Sequence, residues 1–481
     1  MNFTPLDTVI LLAYLLGCLT LGTLAGRGRH TLDDYFLGSK KMPWWAISLS
    51  IVATETSTLT FIGAPAIAYT GNLTFLQIVA GYFIGRLLVS FVLLPSYFKG
   101  SIYTAYELLN FQFGKKVQNF SAILFQGSRS LSDGVRLFAT GLVLSVVTGL
   151  SDHWTVIIIG GLTIAYTYYG GMRAVVWNDV AQLIVYTAGA GIAFLVLLGK
   201  IPGGWAEVVA VSAPLGKLDL LDFTLSLSQA YTFWAGLVGG TFITFATHGT
   251  DQMMVQRYLA CGDRKGSQLA LVLSGIVVFF QFLIFLVIGV MLYVFYQHVP
   301  LERELIQVDR IFPIFIVEQM PAGLSGLIIA GIFASAMSTL SSSLNSLSSS
   351  SINDFYKVYF AKGASDAHYF RASRRMTLFW GAALIVISLL ARNFGSVLEA
   401  GLTIASITMG SVLGIFLLGL QKGKINESGA LVSMGTGLVI VLAMHLLSNV
   451  AWTWYMLVGT VGTFFVGILW KTLTRQVTKR T

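Results

Sequence analysis

Apolar segments of 18 or more residues recur from one end of this chain to the other. Each is long enough to cross a hydrocarbon core of roughly 30 Å. This repetition constrains the fold more than any other feature. In lipid, every backbone N–H and C=O must be satisfied within the spanning structure, so only helices and closed barrels cross. A barrel would show alternating strands of about ten residues, whereas these blocks are longer and continuously apolar. Of the 481 residues, 55% are hydrophobic and only 11% charged, too few charges to cover a soluble surface. The expected fold is an all-α polytopic protein of the cell (plasma or inner) membrane, with the lipid bilayer as its first partner. About thirteen spans are predicted, near 5–25, 44–70, 73–98, 117–149, 153–170, 175–199, 228–250, 267–297, 322–352, 371–391, 396–420, 427–447 and 451–470.

A net charge of +9 would suit nucleic acid. The basic residues sort by side of the membrane instead, and no nucleic-acid partner is expected. With the N-terminus outside, 22 Lys and Arg fall on the cytoplasmic side, Arg257 among them. Only Lys200, Lys217, Arg303, Arg310 and Arg392 fall on the other. This is the asymmetry the positive-inside rule asks for, and an odd number of spans then places the C-terminus in the cytoplasm. The first apolar segment follows MNFTPLD, with no basic n-region, and reads as an anchor helix rather than a cleaved signal. Cys18 lies in a span and Cys261 in a loop, so no disulfide is expected.

Charge at membrane depth costs about 2.5–3.5 kcal/mol or more per group, so the ionisable residues within or beside spans point to function. They are Glu55, Arg86, Asp133, Arg136, Asp179 and His248. Glu55 sits in IVATETSTLTFIG, a run dense in hydroxyls, with Gly63 and Pro65 following. A helix can unwind there only where protein or a water-filled cavity satisfies the freed groups. The stretch reads either as a broken helix lining a solute cavity or as a Pro-kinked helix with satisfied hydroxyls. A kink alone leaves Glu55 unexplained. Asp133 and Arg136 are three apart and share a helix face, which predicts an ion pair with Arg129 as a third member. Asp179 is predicted about one turn inside a span, as a helix cap or a cation ligand. His248 is read as a hydrogen-bonding group, since no Cys/His cluster, HExxH or Walker loop accompanies it.

The segment Met337–Ser351, MSTLSSSLNSLSSSS, holds ten hydroxyl residues. On a helix, Ser335, Ser338, Thr339, Ser342, Ser346 and Ser349 share one face. Hydroxyls are tolerated in lipid because they bond back to the i−4 carbonyl. Small residues also let helices pack closely, which accounts for Ser346–Ser351. Neutral hydroxyls beside freed carbonyls would in addition bind a small hard cation.

Five ordered motifs resemble the sodium/solute symporter family, which includes sodium/glucose, sodium/proline and sodium/sialic acid transporters. They are DDYFLGSKKMPWWAIS (33–48), YTAYELLNFQFG (103–114), YTYYGGMRAVVWNDVAQ (166–182), GTDQMMVQRYLA (249–260) and PAGLSGLIIAGIFASAMSTLSSSLNSLSS (321–349). The resemblance implies a LeuT-like core of two inverted five-helix repeats crossing at a midplane site. The repeats would be 44–200 and 228–420, joined by an extracellular connection at 201–227. An extra helix and loop at 1–43 would precede them, and two helices and a tail at 421–481 would follow. It further implies a sodium site at the carbonyls of Ala53 and Thr56 with Ser335, Ser338 and Thr339. A second site, present in some members, falls on Asp179, Ser338, Ser341 and Ser342. Solute contacts fall on Glu55, Ser57, Thr60, Phe75, Gln77, Thr247 and His248. Sialic acid transporters carry a carboxylate-binding Arg where this chain has Ser132, and a Thr where it has Glu55. A fixed carboxylate without that Arg favours a sugar, polyol or amine-bearing solute over a simple anion. The function implied is sodium-coupled import of a small polar organic solute by alternating access, performed by a monomer and not an enzyme. Proton coupling through Glu55, Asp133 or His248 is the rival within transport, and a membrane-embedded solute sensor the rival outside it.

Overall fold

A computed structural model describes residues 4–26, 31–301, 307–391, 397–421 and 425–480; Arg303 and Arg392 lie outside them. The described residues are helical, with no strand. By length and apolar composition, eight helices can cross a membrane, and one bent pair adds a ninth. The protein is therefore a multi-pass membrane protein. This is fewer than the thirteen spans predicted, partly because two of those run end to end in one stretch of 49 residues.

The first helix, α1 (Pro5–Ala25), begins with a capping box in which Thr4 and Asp7 bond each other's backbone N–H. Asp7 is fully buried and also accepts from Gly323 N (2.8 Å), Gly326 N (2.7 Å) and Ser325 Oγ (2.8 Å). One carboxylate thus starts two helices, because those donors open α10 (Leu324–Ser350, continuing to Phe360). Between them run α2 (Trp44–Glu55), α3 (Thr58–Thr70), α4 (Leu76–Leu88), α5 (Lys115–Thr148), α6 (Asp152–Lys200), α7 (Gly240–Gly249), α8 (Gln252–Cys261) and α9 (Arg264–His298). After α10 come α11 (Asp366–Leu390), α12 (Val397–Gly419), α13 (Glu427–Leu447) and α14 (Tyr455–Arg480).

Two predicted spans, 153–170 and 175–199, lie in α6, which is two helices meeting at a kink at Gly171 (φ 55°, ψ −148°). Only glycine fits there, since a Cβ would sit 2.5 Å from the Tyr35 carbonyl. The seventh predicted span ended at 250, but the chain turns and continues as α8, which buries Arg257 to 1% exposure. This corrects the assignment of Arg257 to a cytoplasmic loop.

α10 lies at the centre, packed on α6, α5, α1 and α2, and almost every residue from Ser325 to Ser350 is buried. A helix enclosed on all sides cannot carry bulk all round, which is why small hydroxyl residues fill it. Most satisfy themselves: Ser342 donates to the Ser338 carbonyl at 2.7 Å and Ser346 to that of Ser343 at 3.1 Å. α4 and α7 meet still more closely, through Gly81-x-x-x-Gly85 and Gly236-x-x-x-Gly240. A Cβ on Gly81 would lie 2.3 Å from Gly236 O, and one on Gly240 2.4 Å from Ile78 O. Backbone faces backbone there, so neither side can yield. Gly81→Val should therefore lower the unfolding temperature in detergent, with a cost of about 1–3 kcal/mol or more. Gly191→Ala, at a helical position open on all sides, should leave it unchanged.

Candidate functional site

Two helix breaks form the site. The first separates α2 from α3, whose axes meet at 58°. Glu55 ends α2, Thr56 leaves the helical region (φ −80°, ψ 79°) and extended Ser57 (ψ 171°) starts α3. The interruption falls in the hydroxyl-rich stretch, eight residues before Pro65, which lies inside α3. The broken-helix reading holds, and the proline is not its hinge. The second break separates α7 from α8 at Thr250 and Asp251. Asp251 caps α8, accepting from Met253 N at 2.8 Å, and pairs with Arg129 of α5.

At the first break, α10 presents its hydroxyls to the freed backbone. Thr339 Oγ1 is 3.2 Å from both the Thr54 carbonyl and the Ser335 carbonyl. The Ser335 and Thr58 hydroxyls share a hydrogen bond of 3.1 Å. Beside them is a cavity of about 20 Å³ lined by Ser57, Thr58, Ala336 and Thr339, which holds one water or one small ion. Ala53 and Thr56 flank Thr54 and are fully buried. Thr56 Oγ1 donates to Gln281 Oε1 of α9 at 2.6 Å, so a residue absent from the sequence reading fixes the break.

Ser338 does not join this group. Its hydroxyl donates to Asp179 Oδ1 at 2.6 Å. Asp179 lies within α6 and is fully buried, so it is no helix cap. Its Oδ2 accepts from Ser50 at 2.5 Å and from Arg257 Nη2 at 3.0 Å. Arg257 also donates to Ser50 (2.9 Å), the Met253 carbonyl (2.7 Å), Thr54 Oγ1 (2.5 Å) and Ser342. Ser341 turns to the Ser338 carbonyl at 3.0 Å. Of the second predicted cation group, Ser338 therefore meets Asp179 directly, Ser342 shares Arg257 with it, and Ser341 turns back to its own helix. Among the described residues no three His, Cys, Asp or Glu gather as a metal site; the oxygens at the first break are neutral, as a weakly held alkali ion requires.

A second cavity, of about 100 Å³, opens between the breaks and is lined by Glu55, Ser57, Thr60, Phe75, Thr247 and His248. Six predicted solute residues are therefore brought together. Gln77 is not among them: it donates to the Thr74 and Tyr231 carbonyls and accepts from Asp222 N, holding the 201–227 connection. Ser132 is buried but does not line the cavity. Phe75 stacks on Phe282 with ring centroids 5.4 Å apart. Tyr82, Arg129, Arg136 and Phe282 are also among the lining residues. Glu55 is paired with fully buried Arg86, which also donates to the Tyr82 carbonyl and to Ser274, each at 3.3 Å. His248 Nε2 is 3.5 Å from the same Glu55 oxygen. Asp133 receives Arg129 (3.4 Å), Arg136 (3.5 Å) and the Ser343 hydroxyl, the triad expected from sequence plus one hydroxyl.

Known proteins share this sequence and arrangement. The Sodium:solute symporter family matches residues 35–437. Sodium/sialic acid symporter SiaT of Proteus mirabilis (strain HI4320) is 29% identical over 474 residues, 97% of this chain and 95% of that protein. The sodium/iodide cotransporter of Homo sapiens is 29% identical over 429 residues, 87% of this chain but 66% of its own length. A solved substrate-bound outward-open Na+-coupled sialic acid symporter superposes with a TM-score of 0.91 at 28% identity, covering 98% of both chains.

Removing one member of a buried ion pair leaves an uncompensated charge and costs about 3–5 kcal/mol. Arg257→Ala should therefore unfold at markedly lower temperature than the parent. Asp179→Asn combined with Arg257→Gln should recover part of the loss, read as a positive coupling in a double-mutant cycle.

Proposed function

The chain belongs to the sodium:solute symporter family, and from that premise we propose that it imports a small polar solute across the cell membrane, coupled to sodium, by alternating access. The observation that carries this is the Thr339 hydroxyl 3.2 Å from the Thr54 carbonyl at the break between α2 and α3. There a sodium ion would bridge a helix that can bend to one that cannot. Its ligands would be the hydroxyls of Ser335 and Thr339, with Thr58 beside them, and the carbonyls of Ala53, Thr54 and Thr56. Sodium bound there holds the break in one geometry, which favours the solute-competent outward-facing form. Each sodium moving inward gains about 2.3 kcal/mol per 100 mV.

Asp179, Ser338, Ser341 and Ser342 are the proposed second site, with Arg257 as its competitor for the carboxylate. The repeats at 44–200 and 228–420 would each contribute one broken helix, and the monomer would suffice, with the N-terminus outside. Proton coupling is disfavoured by the pairing pattern. Glu55 and Asp133 each already have an arginine as ion-pair partner. The sugar or amine preference rested on a free Glu55, and Arg86 takes that carboxylate. The names of relatives include carriers of iodide and of sialic acid, so an anionic solute has equal standing at this level.

In proteoliposomes, uptake of labelled solute should follow an inward sodium gradient and persist when the pH gradient is abolished. Uptake that tracks pH and ignores sodium would defeat the proposal. Thr339→Ala should raise the sodium concentration for half-maximal uptake about tenfold, the loss of one hydroxyl ligand to a charged group. Ser349→Ala, in the packed lower part of α10, should leave it unchanged.

A further inference from the structure

We propose that the transported solute carries a negative charge, that Arg136 anchors it, and that it serves as the counter-ion of sodium. The inference rests on the sodium-coupled reading above. Among the described residues, four carboxylates and four guanidiniums surround the two breaks. They pair as Glu55 with Arg86, Asp251 with Arg129, Asp133 with Arg136 and Asp179 with Arg257. None of these side chains is more than 19% exposed. His248 stands between that first pair, its Nε2 3.4 Å from Arg86 Nη2 and 3.5 Å from Glu55 Oε2, and as a neutral imidazole it leaves this balance even. The empty site is therefore neutral. Sodium entering alone adds one uncompensated charge to a poorly solvated region, which is costly. A neutral solute leaves that charge in place, whereas a monoanion cancels it. Sodium and a monoanion thus stabilise each other, and coupling follows from charge balance.

The four arginines are not equally available. Arg86 is spent on Glu55, the Tyr82 carbonyl and Ser274. Arg257 is spent on Asp179 and its hydroxyls. Arg129 holds Asp251 and Asp133. Arg136 has only the leftover share of Asp133: its Nη1 is 3.5 Å from Oδ1, beyond ordinary hydrogen-bond length. Arg129 Nη1 stands at a similar 3.4 Å from the same Oδ1, and the Ser343 hydroxyl already donates to Oδ2. The buried Nε of Arg136 has no hydrogen-bond partner among the described residues. Arg136 also lines both cavities, the small one with Thr58 and Thr339 and the larger one with Glu55 and Ser57. An anion on it therefore lies between the solute pocket and the sodium oxygens. A guanidinium offers parallel N–H groups to two oxygens at once, so a small organic carboxylate fits better than a spherical halide. A cavity of about 150 Å³ holds benzene, so one of about 100 Å³ suits a solute of roughly three to six heavy atoms in this conformation.

The test measures ²²Na⁺ affinity of the purified chain in nanodiscs, in HEPES buffer without small anions. Lactate is compared with lactamide, and propionate with propionamide. A carboxylate should tighten sodium binding about tenfold where its amide does not, and Arg136→Gln should abolish the effect. Without any solute, Arg136→Gln leaves four carboxylates against three guanidiniums and should itself bind sodium about tenfold more tightly. Arg136→Lys keeps the charge and should leave solute-free sodium affinity unchanged while weakening the response to carboxylate. Amides acting as strongly as carboxylates, or solute-free sodium affinity indifferent to Arg136→Gln, would overturn the inference. Chloride matching the carboxylates would overturn the choice of an organic anion. No sodium binding by the parent chain would instead defeat the sodium-coupled reading itself, a distinct result.

Discussion

A helix that stops inside a bilayer exposes backbone groups that lipid cannot satisfy, and this obligation organises the protein. At the break between α2 and α3 the Thr54 carbonyl is met by Thr339, and the Thr56 side chain is held by Gln281. At the break between α7 and α8 the freed end is capped by Asp251, itself held by Arg129. The partners come from α10, α9 and α5, helices that run unbroken across the site. The two flexible joints are thus each fastened to rigid neighbours by a few polar contacts, which an ion or a solute can replace or strengthen. A carrier needs such joints, since alternating access requires one set of elements to move against another around a fixed site.

Close packing lets these contacts exist. α4 and α7 approach through glycines until backbone meets backbone, which sets the spacing of the segments that follow each of them around the cavity. α10 can occupy the centre only because Ser, Ala and Gly keep it thin. Its hydroxyls then serve two ends with one residue type. Those that bond back to their own helix let it stand among apolar neighbours, and those at Ser335 and Thr339 turn toward the break. A low-complexity stretch thereby encodes a specific position, because neighbouring helices decide which hydroxyls matter.

Much of this was legible before the coordinates. The membrane class followed from block length, the broken helix from Glu55 among hydroxyls, and the Asp133 triad from spacing. Thr60, Phe75 and His248 were placed in the cavity through family resemblance. What was not legible depended on partners distant in sequence. Arg257 looked like a loop cation because the span count ended at 250; a buried Asp179 that needed a cation was the available signal. Arg86 reads from sequence as pairing with a neighbouring acid or snorkelling, and which acid, Glu55 at 31 positions' distance, only the fold decides. Asp7 precedes the first apolar run with no sign of its partner, yet it caps a second helix more than 300 residues away. Gln77 lies only two residues beyond Phe75, but helix geometry turns it toward the 201–227 connection. Hydrophobic pattern reports burial along one helix, and it carries no information on which buried charges will meet.

The division of Ser338 from Thr339 bears on how many ions the site can hold. Adjacent residues on a helix point about 100° apart. Thr339 accordingly faces the α2–α3 break, and Ser338 faces Asp179 on α6. A set of ligands read from sequence as one group is therefore two groups sharing a wall. The Thr339 group is neutral, and a sodium ion there meets only dipoles. The Asp179 group holds a negative charge, but Arg257 already balances it. A second sodium at Asp179 would have to share Oδ1 with Ser338 while the guanidinium keeps Oδ2, or displace the guanidinium from a nest of five acceptors. Either route would cost more than occupying the neutral group. The Asp179 group becomes available to a cation only if Arg257 shifts. Arg257 belongs to α8, the half of the second broken helix that follows Asp251, so a cation at Asp179 would depend on where that half lies.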